Sequence, residues 1–246
     1  MPFPVPSALP AGCQALESTW PWPGPLPDVA FSALHFAPAA LSESDLSAWE
    51  IALPAKLESA ASKRRAEFLA GRLAARDSVA ALCGAPEAPS QDAERLPRWP
   101  AGIIGSITHS HGLAAAVVGH QRAYEGLGLD AERLLTTERA LRLAPQILVN
   151  TERAWLASLE TSQQGRFVTL VFSLKESLFK ALYPLVRQRF YFPDAQLSNW
   201  DPASGEVTIT LRKTLSARWG AGTRLEGQVA DLEDHLLTLI AIPRQS

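Results

Sequence analysis

Apolar and polar positions alternate with two periods along this chain, and the period changes several times. From about Ser62 to Leu82 the pattern is helical, with Phe68, Ala75, Val79 and Leu82 as an apolar stripe and Gly84 placed to cap the C-terminus. Residues 103–109, 113–119 and 126–131 read as short strands, with His111-Gly112 as the first turn and the polar stretch 120–125 as the second. Helical spacing returns at 137–148, at 151–160 and most clearly at 166–183. Val171, Leu174, Leu178 and Leu182 fall there on one side. Val207-Thr208-Ile209-Thr210-Leu211 then alternates as a strand should, and 223–230 and 235–242 complete a second strand set. Helix then strands therefore occurs twice, which predicts two similar α+β halves, 1–122 and 123–246.

The first 30 residues follow neither period. They hold eight of the 19 prolines, and Trp20-Pro21-Trp22-Pro23-Gly24-Pro25 cannot be helical, because proline fixes φ and lacks an N–H. This stretch is expected to be an extended arm whose tryptophans pack on the body. It has neither the basic start nor the apolar run of a signal peptide.

Composition narrows the function class. A 47% apolar content fills an ordinary core, and no run of about 20 apolar residues predicts a membrane span. A net charge of −2 gives no support for nucleic acid as a partner. Cys13 and Cys83 have no metal-ligand spacing and fit a reducing, cytoplasmic setting.

Three segments carry candidate chemistry. In Gly128-Leu129-Asp130-Ala131-Glu132, residues two apart on a strand project together, so Asp130 and Glu132 share a face. Paired carboxylates suit magnesium, which takes hard oxygen ligands and substrate phosphates. A lone pair of acids at a strand end, however, is common without metal. In Phe172-Ser173-Leu174-Lys175-Glu176-Ser177-Leu178-Phe179-Lys180, Glu176 and Lys180 are four apart on one helix side. An ordinary ion pair there is worth only about 0.3–0.5 kcal/mol. Lys175 points close to the apolar stripe, so its stem should be covered and its ammonium must reach an anion or acceptor. In Gly105-Ser106-Ile107-Thr108-His109-Ser110 a histidine at a strand end can face a phosphate. The spacing fits neither a zinc site nor a G-x-S-x-G hydrolase.

Taken in order with Lys63-Arg64-Arg65, Phe68-Leu69-Ala70-Gly71-Arg72, Arg76 and Trp99-Pro100, these segments resemble the 4′-phosphopantetheinyl transferases of the monomeric surfactin/enterobactin (Sfp/EntD) type. The resemblance covers roughly residues 60–195. It implies two α+β halves related by a pseudo-twofold axis, with coenzyme A between them. It implies magnesium-dependent transfer of the 4′-phosphopantetheine arm to a serine of an apo acyl or peptidyl carrier protein, with release of 3′,5′-ADP, as in a holo-[acyl-carrier-protein] synthase. Such enzymes serve fatty-acid, nonribosomal-peptide or siderophore synthesis.

Carried over by residue, Asp130, Glu132 and Glu176 would be metal ligands. Glu176 and Lys180 would be catalytic, as base and as charge on the leaving phosphate, and Lys175 would contact the diphosphate. Thr108 and His109 would hold the 3′-phosphate, with Lys63, Arg72, Arg76 and Arg98 adding charge. The basic residues between 63 and 76 remain alternatives for that contact. Two other readings compete: a non-catalytic carrier-binding module of the same fold, and an unrelated magnesium-dependent phosphohydrolase.

Overall fold

The computed structural model describes residues 8–16 and 19–245. The first seven residues of the proline-rich arm lie outside the described residues. The chain divides into two compact units. One takes the described residues up to Trp20 together with Pro27–Ala123. The other takes Pro21–Leu26 and everything described from Tyr124 onward.

The first unit contains β1 (Cys13–Ala15), β2 (Val29–Phe36), α1 (Glu43–Ala48), α2 (Ala55–Glu58), α3 (Ser62–Cys83), β3 (Ser90–Gln91), β4 (Pro97–Arg98), β5 (Ile103–Ser110) and β6 (Leu113–His120). Its antiparallel sheet has the order β1-β2-β6-β5. The β5–β6 hairpin turns on His111 and Gly112, both at positive φ (46° and 87°), the conformation two-residue hairpins favour. α3 packs Leu69, Ala70, Leu73 and Ala74 against Leu34, Phe36, Ala114 and Ala116. Small residues meet small residues here, and Gly71 leaves no room for a Cβ, which would lie 2.8 Å from Ile107 Cγ2. Gly84 ends α3 in the left-handed conformation at φ 76°, as its place after the periodic run predicts. The buried face of α3 is wider than the expected stripe. Phe68 and Leu82 are only half-buried, whereas Leu69 and Leu73 are almost fully covered.

The second unit contains β7 (Tyr124–Arg133), α4 (Thr137–Ile147), α5 (Asn150–Ser158), α6 (Thr161–Val186), β8 (Ala195–Asp201), β9 (Glu206–Leu211), β10 (Arg224–Leu232) and β11 (His235–Pro243). Its antiparallel sheet has the order β7-β11-β10-β9-β8. Val171, Leu174, Leu178 and Leu182, the stripe expected of α6, are all fully buried and belong to the core with Leu236 and Ile240 of β11. Emptying one such site, as in Leu174→Ala, costs about 2–5 kcal/mol. Pro23 and Gly24 of the arm belong to this unit, where Gly24 N donates to Gln228 Oε1 at 2.8 Å and Gln228 Nε2 donates back to Gly24 O at 3.0 Å.

Strands precede the long helix in each unit: β7 was predicted from the pattern, whereas β1 and β2 ahead of α3 were not. β2 pairs with β6, the last strand of the first unit, and β7 pairs with β11, the last of the second. Residues 126–131 thus lie in the opening strand of the second unit.

Candidate active site

β7 sets the face on which the second unit's chemistry is built. A Cβ on Gly126 would lie 2.7 Å from Ala181 O of α6, and one on Gly128 only 1.9 Å from Ser177 O. Even-numbered positions of β7 therefore point at α6, and the alternation carries Asp130 and Glu132 to the same side. The two glycines let helix and strand backbones approach directly. Hydroxyls hold α6 to β11 as well: Ser177 Oγ donates to Thr238 O at 2.9 Å, and Ser173 Oγ lies 2.9 Å from Thr238 Oγ1.

On that face Lys180 Nζ donates to Asp130 Oδ1 at 2.7 Å and to Leu129 O at 2.9 Å. Asp130 is buried, and Lys180 keeps about a quarter of its side chain exposed. Glu176, one turn before Lys180, is half-buried. Burial pushes its carboxyl above the usual carboxylate range, the nearby Asp130 charge pushes it further, and Lys180 offsets part of both. The helix i,i+4 pair expected between Glu176 and Lys180 is replaced by a tertiary pair between Lys180 and the strand.

The expected ligand group is only partly assembled. Among the described residues no three His, Cys, Asp or Glu side chains are gathered to hold a metal ion. The physical reason is visible at Asp130, whose charge is met by the Lys180 ammonium. The donor set nonetheless fits a hard divalent cation in type. The candidate donors are carboxylates from β7 and α6, and Asp130 and Glu176 are close enough to repel each other.

Lys175 is displaced from its expected role at a diphosphate. Its ammonium is buried, 2.7 Å from Glu152 Oε2 and 2.9 Å from Ile147 O. Burial pulls its pKa down, and Glu152 offsets part of that. The stem is covered as predicted, but the acceptor lies inside the unit. Glu152 was missed by sequence reasoning, because nothing local distinguishes it from the other acids of a helix first turn. A cavity of about 210 Å³ opens beside Lys175 and Glu176, walled by Phe179, Phe190, Tyr191 and Phe192 with Arg189.

The first unit gathers Arg64, Glu67 and His109 into one cluster. His109 Nε2 lies 3.1 Å from Arg64 Nη1, which also donates to Glu67 Oε2 at 3.2 Å. Arg64, not Lys63, is therefore the basic residue at His109. Lys63 and Arg98 are exposed, and Arg65 donates to Glu58 O instead. Thr108 and His109, expected to grip one phosphate together, are consecutive on β5 and so project from opposite faces. Arg72, expected to add charge at the 3′-phosphate, is buried. Its guanidinium carbon lies 4.4 Å from the Phe68 ring centroid, and its Nε has no hydrogen-bond partner among the described residues. Burial lowers its pKa to about 10. Arg76 lies over Trp49 at 5.0 Å.

Comparison with known proteins converges on one family. The family model described as 4′-phosphopantetheinyl transferase N-terminal domain matches residues 53–119, and that of the 4′-phosphopantetheinyl transferase superfamily matches 126–239. The 4′-phosphopantetheinyl transferase Svp of Streptomyces mobaraensis is 35% identical over 185 residues, covering 73% of each chain. The chain belongs to the 4′-phosphopantetheinyl transferase family. Enterobactin synthase component D of Escherichia coli (strain K12) is 37% identical over 172 residues, 68% of this chain and 77% of that protein. The Salmonella typhimurium counterpart is 41% identical over 127 residues, and the chain spans about half the length of that relative. These relatives place the transferase in the surfactin/enterobactin type. Among the described residues no helix is long and apolar enough to cross a membrane.

Proposed function

We propose that this phosphopantetheinyl transferase moves the 4′-phosphopantetheine arm of coenzyme A to a serine of an apo acyl or peptidyl carrier protein, releasing 3′,5′-ADP. The observation that carries this is the group made by Asp130 on β7 with Glu176 and Lys180 on α6, joined by the 2.7 Å contact between Lys180 and Asp130. A transfer of this kind asks the protein to position reactants and neutralise charge more than to form covalent bonds.

Asp130, Glu132 and Glu176 would hold the divalent cation. Magnesium, when bound, neutralises diphosphate charge and polarises the β-phosphate. Glu176 takes the proton of the incoming serine. The serine oxygen bonds to the β-phosphorus, the bond from that phosphorus to the bridging oxygen breaks, and 3′,5′-ADP leaves. Lys180, now paired with Asp130, would face the charge that develops on the leaving phosphate. In the first unit, Arg64 beside His109 would offer positive charge to a phosphate.

Release of 3′,5′-ADP from coenzyme A, followed chromatographically, tests the reading. It should require both an apo carrier protein and magnesium. Release without any carrier would instead make the chain a hydrolase.

A further inference from the structure

The transfer chemistry leaves one buried charge pair without a role. The side chains of Glu152 and Lys175 are 0% and 2% exposed. Three donors converge on the Glu152 carboxylate. Lys175 Nζ at 2.7 Å and Val149 N at 2.8 Å reach Oε2, and Leu197 N at 2.7 Å reaches Oε1. Lys175 Nζ also donates to Ile147 O at 2.9 Å. Four elements meet here: the last residue of α4, the residue before α5, the middle of α6, and β8.

Burying two charges costs about as much as their attraction returns, even when hydrogen bonds saturate both. The pair is therefore a poor source of stability. What it supplies is position. Lys175 is the residue before Glu176, and successive helix residues turn by about 100°. Holding the Lys175 ammonium from the inner side fixes the rotation of α6 about its own axis. That rotation decides where Glu176 and Lys180 point. Ser173 and Ser177 hold the same helix to β11 through Thr238, so α6 is pinned at two angular positions.

We propose that Glu152 is a positioning residue of the transfer site, acting through Lys175 to set the rotation of α6 and with it the aim of Glu176. This rests on the reading of Asp130, Glu176 and Lys180 as a phosphopantetheinyl transfer site. It also assigns Lys175 to the anchor and not to the diphosphate.

Glu152→Gln is the first variant to make. All three neighbours of the carboxylate are donors, and an amide offers one acceptor oxygen and one donor nitrogen, so one contact must fail. Transfer kinetics, coenzyme A affinity by calorimetry, thermal midpoint and amide hydrogen exchange along α6 are measured for wild type, E152Q, K175M and the double variant. Below its thermal midpoint, E152Q should lose about tenfold to a hundredfold in kcat, with KM for coenzyme A within about twofold, because misplacement by even ~1 Å acts on the transition state. Exchange of the α6 amides should quicken, and the double variant should lose less than the two single losses combined. Should E152Q not fold, Glu152→Asp keeps the charge one methylene short and should show the same split. Wild-type kcat and α6 exchange in E152Q would overturn the proposal. So would K175M that weakens coenzyme A binding about tenfold at an unchanged thermal midpoint, since Lys175 would then be a ligand. If the wild type itself transfers nothing, the functional reading has failed, and α6 exchange in E152Q still decides the anchor.

Discussion

Gly128→Ala adds one methyl group where strand and helix backbones come closest. The new Cβ would stand 1.9 Å from Ser177 O and 2.8 Å from Ala181 N. Both obstacles are backbone atoms of α6, so no side chain can swing aside. Restoring an ordinary contact of 3.4 Å requires α6 to retreat by roughly 1.5 Å. The Lys180–Asp130 contact, 2.7 Å long, would be drawn beyond hydrogen-bond range. Overpacking a core costs about 1–3 kcal/mol, and rigid backbone on the far side puts this case near the top of that range. For a chain of this size about 3 kcal/mol corresponds to a fall of roughly 6–12 °C in Tm. Transfer should fall about a hundredfold, since Glu176 and Lys180 move with the helix. Differential scanning fluorimetry and a carrier-modification assay read both effects. Gly220→Ala is the control: nothing lies within 4 Å of its new Cβ, and Tm should move by no more than ~2 °C. G128A with wild-type Tm and activity would refute the close approach of α6 to β7, and the construction of the site with it.

Other outcomes follow from the same geometry. Glu176→Gln should keep the fold and lose about 10²–10⁴-fold in transfer; a soluble variant with wild-type activity would remove Glu176 from the mechanism. Because burial and Asp130 raise the Glu176 pKa, the folded chain holds that proton more tightly than the unfolded one. Its contribution to stability therefore falls as pH rises from the ordinary carboxylate range through the raised value. E176Q should accordingly be at least as stable as wild type at neutral pH and less stable relative to it at low pH, read from Tm at several pH values. His109→Ala should weaken coenzyme A more than 3′-dephospho-coenzyme A in calorimetry; equal weakening would separate His109 from the 3′-phosphate. Burial, with Asp45 nearby, pushes the Cys13 thiol up to about 11, whereas Cys83 is exposed. Maleimide at neutral pH should give one adduct quickly, at Cys83, and two equal rates would contradict the placement of Cys13.

How much of this was legible in the sequence depended on whether the signal was local. The α6 stripe was readable because Val171, Leu174, Leu178 and Leu182 repeat at helical spacing beside polar neighbours. The strand Glu206–Leu211 was readable because its residues alternate. α3 was harder. With alanine on several sides, its periodicity marks a helix but not which face is covered, and Arg72 was expected to add charge at a phosphate when it is in fact buried. β2 went unread because it follows the prolines and its Ala, Ser and His positions blur the alternation. The opposed faces of Thr108 and His109 could have been read from strand alternation alone. The Glu152–Lys175 pair could not, since its partners are 23 residues apart and meet only through packing of α5 on α6. Carboxylate–lysine chemistry was visible as a motif, whereas the exchange of a helix pair for the Lys180–Asp130 contact needed the glycine-mediated approach of α6 to β7.

The most direct test is the intact mass of an apo acyl carrier protein after incubation with this chain, coenzyme A and magnesium, alongside the same mixture with EDTA. The account predicts a gain equal to one phosphopantetheine arm, on the carrier's serine, only where metal is present. No gain on several acyl and peptidyl carriers, with coenzyme A binding demonstrated on the same sample, would contradict it and favour a module that grips carriers without modifying them.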